Sequence, residues 1–117
     1  MRTIAIIGLG YVGLPLALAF ARAGLKVTGL DIDATKVGRL NAGESYIRAI
    51  PAERIRELLN EGRLGATTDF SKLREVEAVI LCVPTPLGRN REPDLSYILQ
   101  TGAAVARHLR RGQIVIL

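Results

Sequence analysis

The chain has 117 residues and a net charge of +5, and 49% of its residues are hydrophobic but only 4% aromatic, so one domain with an aliphatic core is expected. Its single cysteine, Cys82, excludes an internal disulfide framework and a cysteine-rich zinc site, and a reducing, cytoplasmic setting is the simplest expectation. No apolar run reaches membrane-spanning length and the arginines are scattered, which disfavours membrane insertion and nucleic-acid binding.

The first thirty residues follow the pattern of a strand, a tight turn, a helix and a second strand. Residues 3–7 are β-branched and apolar, and glycines separate them from a stretch rich in Ala and Leu, 11–23, that is suited to a helix. Gly24 is placed to end that helix, and residues 26–30 return to the strand pattern. We expect two adjacent parallel strands joined by a right-handed crossover.

The rest of the chain continues the alternation of helices and strands. Asp33 is placed to cap a second helix, Pro51 to open a third and Asp94 to cap a fourth. The predicted helices span about 34–41, 52–60 and 95–109, and the predicted strands span 65–68, 78–83 and 114–117. A proline-rich stretch, 84–93, is expected as a loop at the carboxyl end of the fourth strand.

These elements predict the α/β class, with a Rossmann-type, doubly wound parallel sheet that ends after the fifth strand. The expected strand order is 3-2-1-4-5, which puts a ligand at the switch point between the first and fourth strands. The last strand is apolar and has no polar tail, and an apolar strand at a sheet edge invites association. We therefore expect residues 1–117 to be one dinucleotide-binding domain cut from a longer chain.

The sequence GLGYVG, residues 8–13, matches the dinucleotide-binding fingerprint and opens a predicted helix after a predicted strand. Gly8 allows a tight turn, Gly10 lets the backbone approach a pyrophosphate, and Gly13 lets the helix pack close to the strand. The start of the helix offers unpaired N–H groups and a positive dipole end to phosphates. We expect a cofactor site here; the alternative is a glycine-rich turn that binds nothing.

Asp31 follows the glycine motif at the end of the second predicted strand, where a carboxylate can accept hydrogen bonds from ribose hydroxyls. Such a carboxylate predicts NAD rather than NADP, because a 2′-phosphate would face a like charge at close range. The alternative is that Asp31, like Asp33, only caps the next helix.

Four further residues, near the fourth predicted strand and the last helix, are candidates for chemistry. Pro84 and Thr85 begin the loop after the strand; they either hold a hydroxyl near the cofactor or form only a stiff surface turn. Cys82 is expected as a buried core thiol rather than a nucleophile, and His108 as a solvated residue near a helix end. No catalytic residue and no metal ligand is predicted.

Four segments together resemble the UDP-glucose/UDP-mannosaminuronate dehydrogenase family. They are GLGYVGLPLA (8–17), GLDID (29–33) with Lys36 a few residues on, CVPTPL (82–87) and EPDLSY (92–97). The combination of Tyr11 and Pro15 in the glycine motif with the VPTP segment is fairly specific for that family. The segments NAGESYI (41–47) and REPDLSY (91–97) look most similar to the UDP-N-acetylglucosamine 6-dehydrogenase branch.

The resemblance implies an NAD-binding domain of an enzyme that oxidises the C6 alcohol of a UDP-sugar to a carboxylate with two NAD. It implies that the glycine-loop residues, including Leu9, Tyr11 and Val12, contact the cofactor. It also implies that Asp31 and Lys36 hold the ribose and that the Pro84–Thr85 segment lies beside it. From its pattern alone, Lys36 reads as an ordinary exposed helix lysine.

The family's catalytic cysteine, lysine and glutamate have no match in these 117 residues, nor do its sugar-binding domain and the central helix of its homodimer. The fragment is therefore expected to be inactive by itself. Two alternatives stay open: the first domain of a β-hydroxyacid-type dehydrogenase, and a non-catalytic module that senses NAD.

Overall fold

Five parallel strands form the sheet, in the order β3-β2-β1-β4-β5 that the sequence predicts. The computed structural model describes residues 2–83 and 95–116. Its strands are β1 (Thr3–Ile7), β2 (Lys26–Leu30), β3 (Leu64–Thr67), β4 (Ala78–Leu81) and β5 (Ile114–Ile116). Its α-helices are α1 (Gly13–Arg22), α2 (Ala34–Asn41), α3 (Ala52–Asn60) and α4 (Ser96–His108), and a 3-10 helix spans Phe70–Glu75. The predicted fold class, a Rossmann-type α/β domain, is confirmed.

Strand β1 is buried on both faces, because helices cover the sheet from both sides. Ile4 and Ile6 point into one core cluster together with residues of α1, α2 and α3. Ala5 and Ile7 point into a second cluster with residues of the 3-10 helix and α4. The two layers fix β1 and its neighbour β4 at the centre of the sheet, where their carboxyl ends form the switch point.

The starts of α2 and α3 follow the predicted signals, whereas the start of α1 does not. Asp33 caps α2, since its Oδ1 accepts hydrogen bonds from the N–H groups of Thr35 at 2.9 Å and Lys36 at 3.4 Å. Pro51 precedes α3 in an extended conformation, as its fixed φ favours. Helix α1 is shorter than the predicted 11–23, because residues 9–12 form the turn that leads into it.

Other parts of the structure differ from the prediction or lie outside the described residues. The 3-10 helix was not predicted, although Asp69 caps it by accepting from Ser71 N at 3.0 Å, an Asx-type signal visible in the sequence. Strand β4 ends at Leu81 rather than at residue 83. The predicted loop 84–93 and the Asp94 cap lie outside the described residues. Across the described ranges, no helix has both the length and the apolar character needed to span a membrane.

Candidate functional site

The glycine turn joins β1 to α1 at the carboxyl edge of the sheet. Gly8 has a φ of 94°, a conformation that residues with a Cβ rarely adopt, and its N–H donates to the Leu30 carbonyl of β2 at 2.8 Å. A Cβ at Gly8 would lie 2.5 Å from the Cys82 carbonyl oxygen. The turn is therefore held tightly between β2 and the end of β4.

The other two glycines of the motif stand in opposite surroundings. A Cβ added at Gly13 would lie 1.7 Å from the Gly8 carbonyl oxygen, so only glycine lets α1 start this close to β1. A Cβ added at Gly10 would meet nothing within 4 Å. Gly10 thus leaves open space on the outer side of the turn, the position at which the fingerprint brings a phosphate to the backbone.

The turn also presents unused hydrogen-bond donors. Within the described part of the chain, the N–H groups of residues 10–13 donate to no acceptor. They lie at the start of the ten-residue helix α1, whose N-terminus carries a partial positive charge. Free N–H groups and a positive helix end together favour an anion, and a phosphate most of all.

A cleft with a volume of about 610 Å³ opens beside this turn. Its walls come from the turn (residues 10–12), from Lys36 of α2, from Tyr46 and Ile47 of the following loop, and from residues 81–83 at the end of β4. Tyr11 and Val12 are 83% and 68% exposed at its rim. Among the described residues the Lys36 ammonium has no ion-pair partner, so it adds an uncompensated positive charge to the cleft.

Asp31 lies at the end of β2 and is almost completely buried, with 1% of its surface exposed. Its Oδ2 accepts from Leu9 N at 2.9 Å, which ties the carboxylate to the glycine turn. Its Oδ1 accepts from Asp33 N at 2.9 Å and from the Tyr97 hydroxyl at 2.6 Å. Asp31 therefore stands at the predicted place, but protein donors already surround its carboxylate.

Two tyrosines that were not singled out from the sequence belong to this site. Tyr46 donates its hydroxyl proton to the Leu9 carbonyl at 2.5 Å, and its ring lies under the Arg39 guanidinium. Burial first, and then the negative charge of Asp31, raise the pKa of the Tyr46 hydroxyl above its usual range. Burial and the hydrogen bond to Asp31 raise the pKa of Tyr97 in the same direction. Both phenols are neutral donors at physiological pH.

Cys82 is not the buried strand residue that the sequence predicts. Because β4 ends at Leu81, Cys82 follows the strand, is partly exposed and lines the cleft. Burial nevertheless raises the pKa of its thiol above the usual value. His108 also differs from its prediction: it ends α4 half-buried, and among the described residues its Nδ1 has no hydrogen-bond partner.

The Cys82 thiol should react slowly with iodoacetamide in the folded chain and more slowly still in the presence of NADH. The thiolate is the reactive form, so a raised pKa moves the rise in rate to higher pH, and a ligand in the cleft covers the sulfur. At pH 7.5 we expect alkylation about tenfold slower than in urea-unfolded chain, followed by mass spectrometry. Equal alkylation rates in folded and unfolded chain would contradict a partly buried thiol at Cys82.

The structure brings together eight of the ten predicted cofactor residues. Residues 8–13, Asp31 and Lys36 meet at the carboxyl ends of β1 and β2. The Leu9 side chain is buried in the core, so its backbone alone faces the site. Pro84 and Thr85 lie outside the described residues and stay predictions.

The family model described as "UDP-glucose/GDP-mannose dehydrogenase family, NAD binding domain" matches residues 2–117. The chain belongs to that family. The predicted resemblance and the predicted cofactor, NAD, are thereby confirmed, and the β-hydroxyacid-type alternative loses its support.

Members of this family resemble the chain in both sequence and structure. A UDP-N-acetyl-D-mannosamine dehydrogenase of Campylobacter jejuni is 40% identical over 97% of this chain and 28% of its own length. The solved structure of the corresponding Pyrococcus horikoshii dehydrogenase matches with a TM-score of 0.85 at 38% identity, over 97% of this chain and 27% of that one. A ternary complex of GDP-mannose dehydrogenase from Pseudomonas aeruginosa matches with a TM-score of 0.84 at 33% identity, over 98% and 27% of the two chains. The chain thus spans about a quarter of the length of these relatives.

Proposed function

We propose that the chain binds NAD in the cleft beside the glycine turn and serves as the cofactor domain of a UDP-N-acetylhexosamine 6-dehydrogenase. The observation that carries the proposal is the combination of open space at Gly10 with four undonated N–H groups at residues 10–13. A pyrophosphate fits these two features. Its oxygens accept hydrogen bonds from the N–H groups, and the absence of a side chain at Gly10 lets it come close to the backbone.

Asp31 and Lys36 complete the proposed site. The Asp31 carboxylate takes the ribose hydroxyls and disfavours a 2′-phosphate by charge repulsion. The Lys36 ammonium adds a positive charge to the cleft that receives the dianionic pyrophosphate. Bound NAD supplies the hydride acceptor for the oxidation of an alcohol. Pro84 and Thr85 are proposed to flank the same cofactor.

The relatives, and the resemblance of residues 41–47 and 91–97, support the proposed substrate class. Several relatives are named for UDP-N-acetyl-D-mannosamine, which supports an N-acetylated UDP-hexosamine over UDP-glucose. We propose UDP-N-acetylglucosamine as the particular sugar, a cytoplasmic homodimer as the complete enzyme, and polysaccharide precursors as its products. In this proposal the groups that act on the sugar come from outside these 117 residues. Rates of the complete protein with the three UDP-sugars test the choice of sugar.

A chimaera tests the role of the domain itself. Replacing the matching quarter of the Pyrococcus horikoshii dehydrogenase with this chain should give an enzyme that reduces NAD with UDP-N-acetyl-D-mannosamine, followed at the NADH absorbance. Gly10→Ala fills the space meant for the pyrophosphate, so it should raise the KM for NAD at least about tenfold while the protein stays folded.

Gly38→Ala is the matched control, because a Cβ there also meets nothing within 4 Å but lies on α2 away from the turn. Its KM for NAD should equal that of the parent chimaera. A folded chimaera that oxidises no sugar would instead favour the NAD-sensing module, and a Gly10→Ala variant with unchanged KM would contradict the proposed phosphate position.

A further inference from the structure

The Asp31 carboxylate has almost no acceptor capacity left for a ligand. A carboxylate offers about four lone-pair positions, two on each oxygen. Oδ1 already accepts from Asp33 N and the Tyr97 hydroxyl, and Oδ2 accepts from Leu9 N. A ribose presents two neighbouring hydroxyls, and one open position on a side chain that is 1% exposed does not serve both.

The three donors on Asp31 differ in how easily they can leave. Leu9 N belongs to the turn that β2 and β4 hold, and Asp33 N belongs to the capped start of α2. Both are backbone groups, so removing either bond would require the backbone to shift. The Tyr97 hydroxyl ends a half-buried side chain that turns about two single bonds, and it can leave without that shift.

Tyr97 also reaches Asp31 from the other side of the switch point. It is the second residue of α4, which follows β4 in the chain, whereas Asp31 follows β2 on the far side of β1. The Tyr97 hydroxyl thus connects the two halves of the fold at the crevice where ligands of doubly wound sheets bind.

We infer that the Tyr97 hydroxyl occupies, on Asp31 Oδ1, the hydrogen-bonding position that a ribose hydroxyl of the dinucleotide takes, and that cofactor binding displaces it. This inference rests on the proposed function of the cleft. In the empty site the Tyr97 hydroxyl adds a third donor to a carboxylate that burial has removed from water. In the occupied site the ribose supplies that donor instead, so Tyr97 competes with the cofactor.

Tyr97→Phe should therefore bind NADH about tenfold more tightly than the wild-type chain in a calorimetric titration, since the competing bond to a charged group is gone. In an Asp31→Ala background the same change should leave the affinity unaltered, because the position under competition no longer exists. Tyr46→Phe provides a contrast: it removes a donor to the Leu9 carbonyl rather than to Asp31, and we expect weaker binding.

Nuclear magnetic resonance of the wild-type chain provides a second test, in which a variant serves only to assign a signal. The chain has three tyrosines, and labelling their hydroxyl-bearing carbons with ¹³C gives three resonances, of which Tyr97→Phe identifies one. Addition of NADH should shift the Tyr97 resonance as its hydrogen bond to Asp31 breaks. Urea unfolding of each variant shows that folded chains are compared.

The outcomes separate the inference from the proposal on which it stands. If the wild-type chain binds NADH and Asp31→Ala weakens binding, but Tyr97→Phe fails to tighten it or the Tyr97 resonance stays in place, the inference is overturned and the proposed site survives. If the folded wild-type chain does not bind NADH, both are overturned.

Discussion

Gly13→Ala is expected to lower the free energy of unfolding by about 3 kcal/mol or more, which is a large part of the stability of a small domain. The added Cβ would lie 1.7 Å from the Gly8 carbonyl oxygen and 2.9 Å from its carbon. Both atoms are backbone, so no side-chain rotation relieves the overlap, and α1 must move away from β1. Urea denaturation followed by far-UV circular dichroism measures the loss.

The same substitution elsewhere provides the control for Gly13→Ala. Gly38 lies inside α2, where an added Cβ meets nothing within 4 Å. Alanine is a better helix former than glycine there, so Gly38→Ala should raise the stability by about 1 kcal/mol. A Gly13→Ala chain with the unfolding midpoint of the wild type would show that α1 does not pack on the turn as closely as described.

Asp31→Ala is expected to cost about 2–4 kcal/mol of stability and to remove the preference for NADH over NADPH. The variant leaves the buried N–H group of Leu9 and the partly buried N–H group of Asp33 without their acceptor, and such groups are costly to leave unpaired. It also removes the negative charge that would repel a 2′-phosphate. Urea denaturation gives the first effect, and calorimetric titration with each dinucleotide gives the second.

Asp33→Ala separates these effects from the mere loss of a capping carboxylate. Asp33 caps α2 through the N–H groups of Thr35 and Lys36, so its loss should cost about 1 kcal/mol and leave the preference between the two dinucleotides intact. If Asp33→Ala lowers that preference as much as Asp31→Ala does, Asp31 is not the residue that discriminates.

The sheet and the glycine turn were predictable because local chemistry determines them. The alternation of aliphatic runs with helical stretches indicates five strands, and right-handed crossovers between parallel strands permit few orders for them. Gly13 is required by a contact only five residues away in the chain, with Gly8. Contacts between residues this close in the chain can be read directly from the sequence, and the capping of α2 by Asp33 is another example.

The rest of the site depends on contacts between distant residues. Tyr97 bonds to Asp31 across 66 positions and Tyr46 bonds to Leu9 across 37, and nothing in their own segments indicates either partner. Cys82 was misplaced because an apolar run does not show where a strand ends: β4 ends one residue before Cys82, which lines the cleft and packs partly against the core. Long-range hydrogen bonds and strand ends are therefore what the structure adds to the sequence.

Calorimetric titration of the folded wild-type chain with NADH and with NADPH tests the central claim most directly. The proposed site predicts one NADH bound per chain, with NADPH at least about tenfold weaker, because the carboxylate of Asp31 accepts ribose hydroxyls and repels a phosphate. No heat of binding with either dinucleotide, or equal affinities for the two, would contradict an NAD site formed by the glycine turn and Asp31.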